Sequence, residues 1–113
     1  MKRAFRLRRS TDFKRVRRSG KSYAHPLIVL ITDPTDQGGI KVGISASHSV
    51  GNAVCRNRAK RRLRAIVDEL LPMLHNNADL IFLARKPILD ANYEELRHAV
   101  SEVLIRAGLL NKS

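Results

Sequence analysis

Six cations fall between Arg56 and Arg64, namely Arg56, Arg58, Lys60, Arg61, Arg62 and Arg64, with no acid among them. They sit on a helical pattern. At 3.6 residues per turn Ala59, Leu63, Ile66, Val67 and Leu70 share one face, while Asn57, Arg58, Lys60, Arg61 and Arg64 cover the other. Gly51 or Asn52 opens this helix, and Pro72 stops it after Leu71. Like charges four apart on a helix repel, so the segment needs a core against its apolar face and an anion against its basic one. A second basic run comes first in the chain: Lys2, Arg3, Arg6, Arg8, Arg9, Lys14, Arg15, Arg17, Arg18 and Lys21, opposed only by Asp12. Sixteen of the 22 Lys and Arg lie in these two runs, and against 10 Asp and Glu they leave a net charge of +12. A run of mixed sign reads as a solvated helix face, but a run of one sign on a compact chain reads as a polyanion-binding surface, with nucleic acid as the first candidate.

The remaining pattern supplies a small core. Ser10 or Thr11 caps a short helix to about Arg18, with Phe13 and Val16 three apart on one face and Gly20 at its end. Leu27 to Thr32 reads as a buried strand. After a turn cluster at Asp33-Pro34-Thr35-Asp36-Gln37-Gly38-Gly39, Ile40 to Ser47 alternates as a half-buried strand, and the two are expected to pair as a hairpin. Leu80 to Ala84 is another buried strand, and Asn92 to Ala107 is a helix with Leu96, Val100, Val103 and Leu104 at helical spacing. The order helix, strand, strand, helix, strand, helix predicts an α+β fold, a two-layer α/β sandwich with one central, mostly antiparallel sheet and one face open for a ligand. With 113 residues the chain is read as a single domain, 1–113, with residues 1–9 a flexible basic arm.

Catalytic chemistry is hard to find. Cys55, the one cysteine, cannot form an internal disulfide, which suits a reducing compartment such as the cytoplasm. It projects near the apolar face of the basic helix, as a small hydrophobe would. His25, His48, His75 and His98 show no metal-ligand spacing, and no acidic pair or phosphate-binding glycine loop is present. The sequence therefore predicts no catalytic residue and no metal site. Its longest apolar run, Leu27 to Ile31, is far too short for a membrane span.

The residues Gly51-Asn52-Ala53-Val54-Cys55-Arg56-Asn57-Arg58-Ala59-Lys60-Arg61-Arg62-Leu63-Arg64 do more than make a basic helix. They resemble the RNR signature of the bacterial ribonuclease P protein component, G-N-A-V-x-R-N-R-x-K-R-x-x-R, at every specified position. Arg6-Leu7-Arg8-Arg9 with Asp12-Phe13, Val42-Gly43-Ile44-Ser45 and Ala84-Arg85-Lys86-Pro87 extend the likeness over nearly the whole chain.

That resemblance implies a fold related to a ribosomal-protein domain, with a left-handed β-α-β crossover containing the signature helix. It implies a cytoplasmic protein subunit that binds the catalytic RNA and the 5′ leader of precursor tRNA. The RNA uses Mg²⁺ to remove the leader and give the mature 5′ end; the protein holds no cofactor, needs no protein partner and is inactive alone. By likeness Arg56, Asn57, Arg58, Lys60, Arg61 and Arg64 contact or position RNA. Phe13, Arg17, Lys60 and Ile31 face the leader, and Arg9, Arg85 and Lys86 add phosphate contacts. For Phe13 a helix-to-sheet core contact is the competing assignment. Relatives often carry aromatics at the positions of Arg17 and Ile31, and basic residues at those of His48 and Ser49, so leader preference does not carry over directly.

Two other functions compete: a ribosomal or rRNA-binding assembly protein, against which the signature argues, and an autonomous metal-dependent nuclease, against which the missing acidic cluster argues. If phosphate contacts dominate, affinity for the catalytic RNA will fall steeply with salt, by about 0.7–0.9 in the log–log slope for each phosphate neutralised. Arg58→Ala or Arg61→Ala should flatten that slope by about one unit in a salt titration of binding, and an affinity indifferent to salt would refute the reading.

Overall fold

The structure, a computed structural model, describes residues 5–36 and 38–112; expectations placed on residues 1–4 lie outside it. The elements are α1 (Ser10–Ser19), β1 (Lys21–Ala24), β2 (Ile28–Pro34), β3 (Ile40–Ala46), α2 (Ala53–Leu70), β4 (Ala78–Ala84) and α3 (Tyr93–Arg106). This is an α+β fold with three helices and a mixed sheet of four strands among the described residues.

The sheet order is β1-β2-β4-β3, so the expected hairpin of β2 with β3 does not form. β4 lies between them, antiparallel to β2 and parallel to β3. The reason lies in β4 itself. Leu80, Ile81 and Phe82 are all 0% exposed although successive side chains point to opposite faces. A strand apolar on both faces belongs inside a sheet. The link from β2 to β3 steps across β4, about two strand spacings or ~10 Å. It is tied to the start of that strand: the Thr35 N–H donates to Asn77 O at 3.2 Å and the Ala78 N–H to Gly39 O at 3.0 Å. Gly38 and Gly39 both take positive φ there, at 86° and 71°.

β1 escapes the sequence pattern because Lys21, Ser22 and Ala24 are exposed and only Tyr23 turns towards the core. It is an edge strand formed by pairing with β2.

The main core fills one face of the sheet. Leu30, Val42, Leu80 and Phe82 meet Leu63, Ile66, Val67 and Leu70 of α2, and Leu96, Val100, Val103 and Leu104 of α3. Both helices start where their caps predict. Asn52 Oδ1 accepts the Cys55 N–H at 3.0 Å, and Asn92 and Glu95 form a reciprocal capping box. The second face is not bare, which corrects the two-layer expectation. There α1 lays Val16 against Ile31 and Ile81, with Leu7, Phe13, Val29 and Leu83 around them. α1 crosses the strands: its Phe13 ring covers Gly43 of β3, where an added Cβ would lie 2.4 Å from Phe13 Cζ, and Gly20 just past its end abuts Ile31 of β2.

Two basic side chains are engaged within the fold itself. Arg15 reaches from α1 to the carboxylates of Asp33 and Asp79, and the Asp79 hydrogen bond raises its pKa against some desolvation. Arg62 leaves the α3 side of α2 and donates to Ile88 O at 2.9 Å and Ala91 O at 2.5 Å. The signature leaves position 62 unspecified, in keeping with a structural role. Arg62→Ala should therefore lower unfolding free energy by about 1–3 kcal/mol, because it strips charged donors from two carbonyls. Exposed Arg61→Ala should stay within about 0.5 kcal/mol in the same denaturant titration.

Candidate nucleic-acid interface

The buried stripe of α2 divides its cations. Arg56, Lys60 and Arg64, four residues apart, form a half-buried row along one border of the stripe, and Arg62 takes the other border. Asn57, Arg58 and Arg61 point outward and are exposed. Arg56 is partly engaged already: its Nη1 donates to Gly51 O at 2.8 Å and lies 3.3 Å from His48 Nδ1.

On the far side of β3 the other basic run arrives. Arg6 pairs with Val42 as a parallel bridge, the Leu7 N–H donates to Val42 O at 2.9 Å, and Leu7 is 6% exposed. The segment expected as a loose arm over 1–9 is thus docked at Arg6 and Leu7. Alternation makes this possible, since Leu7 turns inward while Arg6 and Arg8 stay outside. Arg6, Leu7, Arg8, Phe13, Val42, Gly43, Ile44 and Arg64 line one cavity of about 290 Å³. A neighbouring hollow of about 400 Å³ is lined by Arg8, Ser10, Phe13, Lys14 and Arg17. Half-buried Phe13 belongs to both. Arg6 and Arg8 of the first basic run therefore meet Arg64 of the second around one aromatic ring.

The sheet supplies a floor beside α1. Side chains on the α1 face stand in rows set by the strand register: Asp33 and Asp79 form one with Lys41, and Ile31 and Ile81 form the next with Ser22 and Gly43. The third holds Ala24, Val29, Leu83 and Ser45 and stays partly open. A strip of mild apolar surface flanked by cations suits unpaired nucleotides, whose bases stack or lie flat while phosphates find the charges.

Other residues singled out in the sequence are placed as follows. Ile31 is 7% exposed beneath α1, so it offers a ligand no open surface; its burial replaces the expected leader-facing role. Arg9 precedes α1, its carbonyl accepting the Phe13 N–H at 3.1 Å and its side chain exposed. Arg85 donates to His25 O at 3.1 Å, and Lys86 is exposed beside it. Cys55 is half-buried. Arg6, Arg8 and Lys14 line the hollows but escaped the sequence assignment, although the alternation Arg6-Leu7-Arg8 was a strand signal.

Of the two acids near the end of α2, Asp68 follows Arg64 one turn on in the same row, and Glu69 does not. Glu69 lies on the opposite border of α2, where its carboxylate accepts from Tyr93 Oη at 2.5 and 2.7 Å and from Arg97 Nε at 3.3 Å. The Tyr93 hydrogen bond, with help from Arg97, holds its pKa below the ordinary range. Among the described residues no three His, Cys, Asp or Glu side chains are grouped to hold a metal ion, and no helix is long and apolar enough to cross a membrane.

A family model described as ribonuclease P matches residues 1–108. The ribonuclease P protein component of Chloroflexus aurantiacus is 40% identical over 111 residues, covering 97% of this chain and 82% of the relative. That of a Bacillus cereus strain is 36% identical over 110 residues, 96% of each chain. A solved Staphylococcus aureus RNase P protein, a mutant with defective mRNA degradation activity, superposes with a TM-score of 0.86 at 29% identity, covering 95% of this chain and 91% of that one. With a basic surface built from the signature helix, and with relatives matched over nearly its full length, this chain belongs to the bacterial ribonuclease P protein component family, the protein part of the enzyme that processes tRNA 5′ ends.

Proposed function

We propose that this chain binds the catalytic RNA through Arg56, Asn57, Arg58, Lys60, Arg61 and Arg64, and receives the 5′ leader of precursor tRNA in the strip beside α1. The observation that carries the reading is the meeting of both basic runs around Phe13 at the β3 edge. In the leader strip Phe13 stacks on a base, and Arg17 and Lys60 meet phosphate or lie against a base. Arg9, Arg85 and Lys86 extend the phosphate contacts. The fork of each arginine can hold two phosphate oxygens, and a rigid helix keeps the forks at fixed spacing.

The chemistry is assigned to the RNA. The Mg²⁺ that the family's reaction implies does not fit this chain's described residues as a host, because Asp12, Asp33 and Asp79 gather around Arg15 and no ligand group remains by the strip. The site of action is taken as the cytoplasm, with catalytic RNA and precursor tRNA as partners and no protein partner needed.

We also infer that β3, α2 and β4 form a left-handed crossover. Val42 faces α2, and its C=O accepts from Leu7 on the edge away from β4. In a strand running upward, an L-residue pointing at the viewer sends its C=O to the right. Seen from α2, β4 therefore lies to the left of β3, against the usual right-handed connection. Ile28, whose C=O accepts from His25 on the β1 side of the antiparallel β2, supports the same sense.

Phe13→Ala should weaken holoenzyme binding to precursor tRNA by about five- to a hundredfold, the worth of one stacked base, and barely change binding to mature tRNA. Equal losses on both, or a loss matched by unfolding in a thermal melt, would return Phe13 to the core. Arg17→Phe should keep leader affinity but reduce its salt dependence; an unchanged dependence would place Arg17 in solvent. RNA-free protein should leave precursor tRNA uncut. Cleavage at the mature 5′ end by RNA-free protein would refute the assignment of chemistry to RNA.

A further inference from the structure

Asp33 and Asp79 stand directly opposite each other across β2 and β4, so their carboxylates leave the same face side by side. Like charges at such a pair destabilise a sheet, and Asp79 is only 8% exposed. Arg15 answers both, Nη1 to Asp33 Oδ2 and Nη2 to Asp79 Oδ2, with Asp12 3.7 Å from Nη2.

α1 has few other holds. It is ten residues long, shorter than helices that persist alone. Arg9 makes no side-chain cap bond, and Val16 is its one fully buried side chain. Val16 seats the helix and half-buried Phe13 packs over Gly43 on one flank, so the opposite flank needs its own tie to fix the roll. Each residue turns about 100°, so Arg15 leaves α1 roughly half a turn from both Phe13 and Arg17. One flank of α1 is thus bound to the carboxylate row while the other presents Phe13 and Arg17 to the open strip.

We propose that Arg15 is a positioning residue for the leader strip: by locking α1 to Asp33 and Asp79 it fixes the roll of the helix and aims Phe13 and Arg17 at the RNA. This rests on the reading of Phe13 as a leader contact. The planar guanidinium can reach two carboxylates at once, one from each Nη, which a lysine ammonium does not reproduce.

The test uses holoenzyme reconstituted from this chain and catalytic RNA, and reads leader discrimination as the ratio of Kd for mature tRNA to Kd for precursor tRNA. Arg15→Met should lower that ratio by about fivefold or more in the wild-type background, and should change nothing further when Phe13→Ala is already present, because both act through one group. Arg15→Met leaves Asp33 and Asp79 repelling each other, so the triple variant Arg15→Met/Asp33→Asn/Asp79→Asn removes the charge problem along with the clamp. It should fold and still lose discrimination. Recovery of the wild-type ratio in the triple variant would reduce Arg15 to charge neutralisation and overturn the proposal, as would an equal loss from Arg15→Met with and without Phe13. If Phe13→Ala lowers the ratio while Arg15→Met and the triple variant keep it, the clamp alone falls. If Phe13→Ala itself leaves the ratio unchanged, the leader reading falls and takes the clamp with it.

Discussion

Burial of β4 on both faces is the constraint from which the architecture follows. Leu80 and Phe82 call for a layer on one side and Ile81 for a layer on the other, which α2 with α3 and then α1 provide. Because the short link reverses β3 against β2 and β4 is antiparallel to β2, β3 pairs with β4 in parallel, and the link between them has to cross over. That link is α2. The helix with the most cations is thereby anchored through Ala59, Leu63, Ile66, Val67 and Leu70, and packing against the sheet and α3 holds its repulsive face rigid.

A chain with a net charge of +12 has few acids to distribute. Three of them, Asp12, Asp33 and Asp79, are gathered around Arg15, and Glu69 is committed to Tyr93 and Arg97 on the α3 side of α2. Arg62 is satisfied by backbone carbonyls. Arg6, Arg8 and Arg64 gather at the β3 edge around Phe13, a concentration of like charge that favours a polyanion. Arg62, engaged by the fold, and the outward-facing Arg58 and Arg61 thus share one helix, separated by the angle at which they leave it.

Much of the fold was legible along the chain. The apolar spacing of Leu63, Ile66, Val67 and Leu70 and the caps at Asn52 and Asn92 placed α2 and α3 closely, because both signals are local. β1 was not legible, since a short polar edge strand owes its shape to its neighbour. The hairpin expectation failed for a related reason: the segments of β2 and β3 are adjacent in sequence, and nothing local reveals that a strand forty residues later is more apolar on both faces and displaces the pairing. Ile31 went astray because an exposed aliphatic and a buried one look alike in a strand until the position of α1 is known.

The sequence by itself determined the family, the amphipathic basic helix and the demand for an anionic partner, because these depend on residue type and spacing within one segment. Tertiary structure alone decided that Arg6 and Arg8 meet Arg64 around Phe13, that Arg62 and Arg15 serve the fold, and that Asp33 faces Asp79. Such pairings join residues far apart in the chain, and strand order and register choose them by maximising burial of β4 rather than by any local preference.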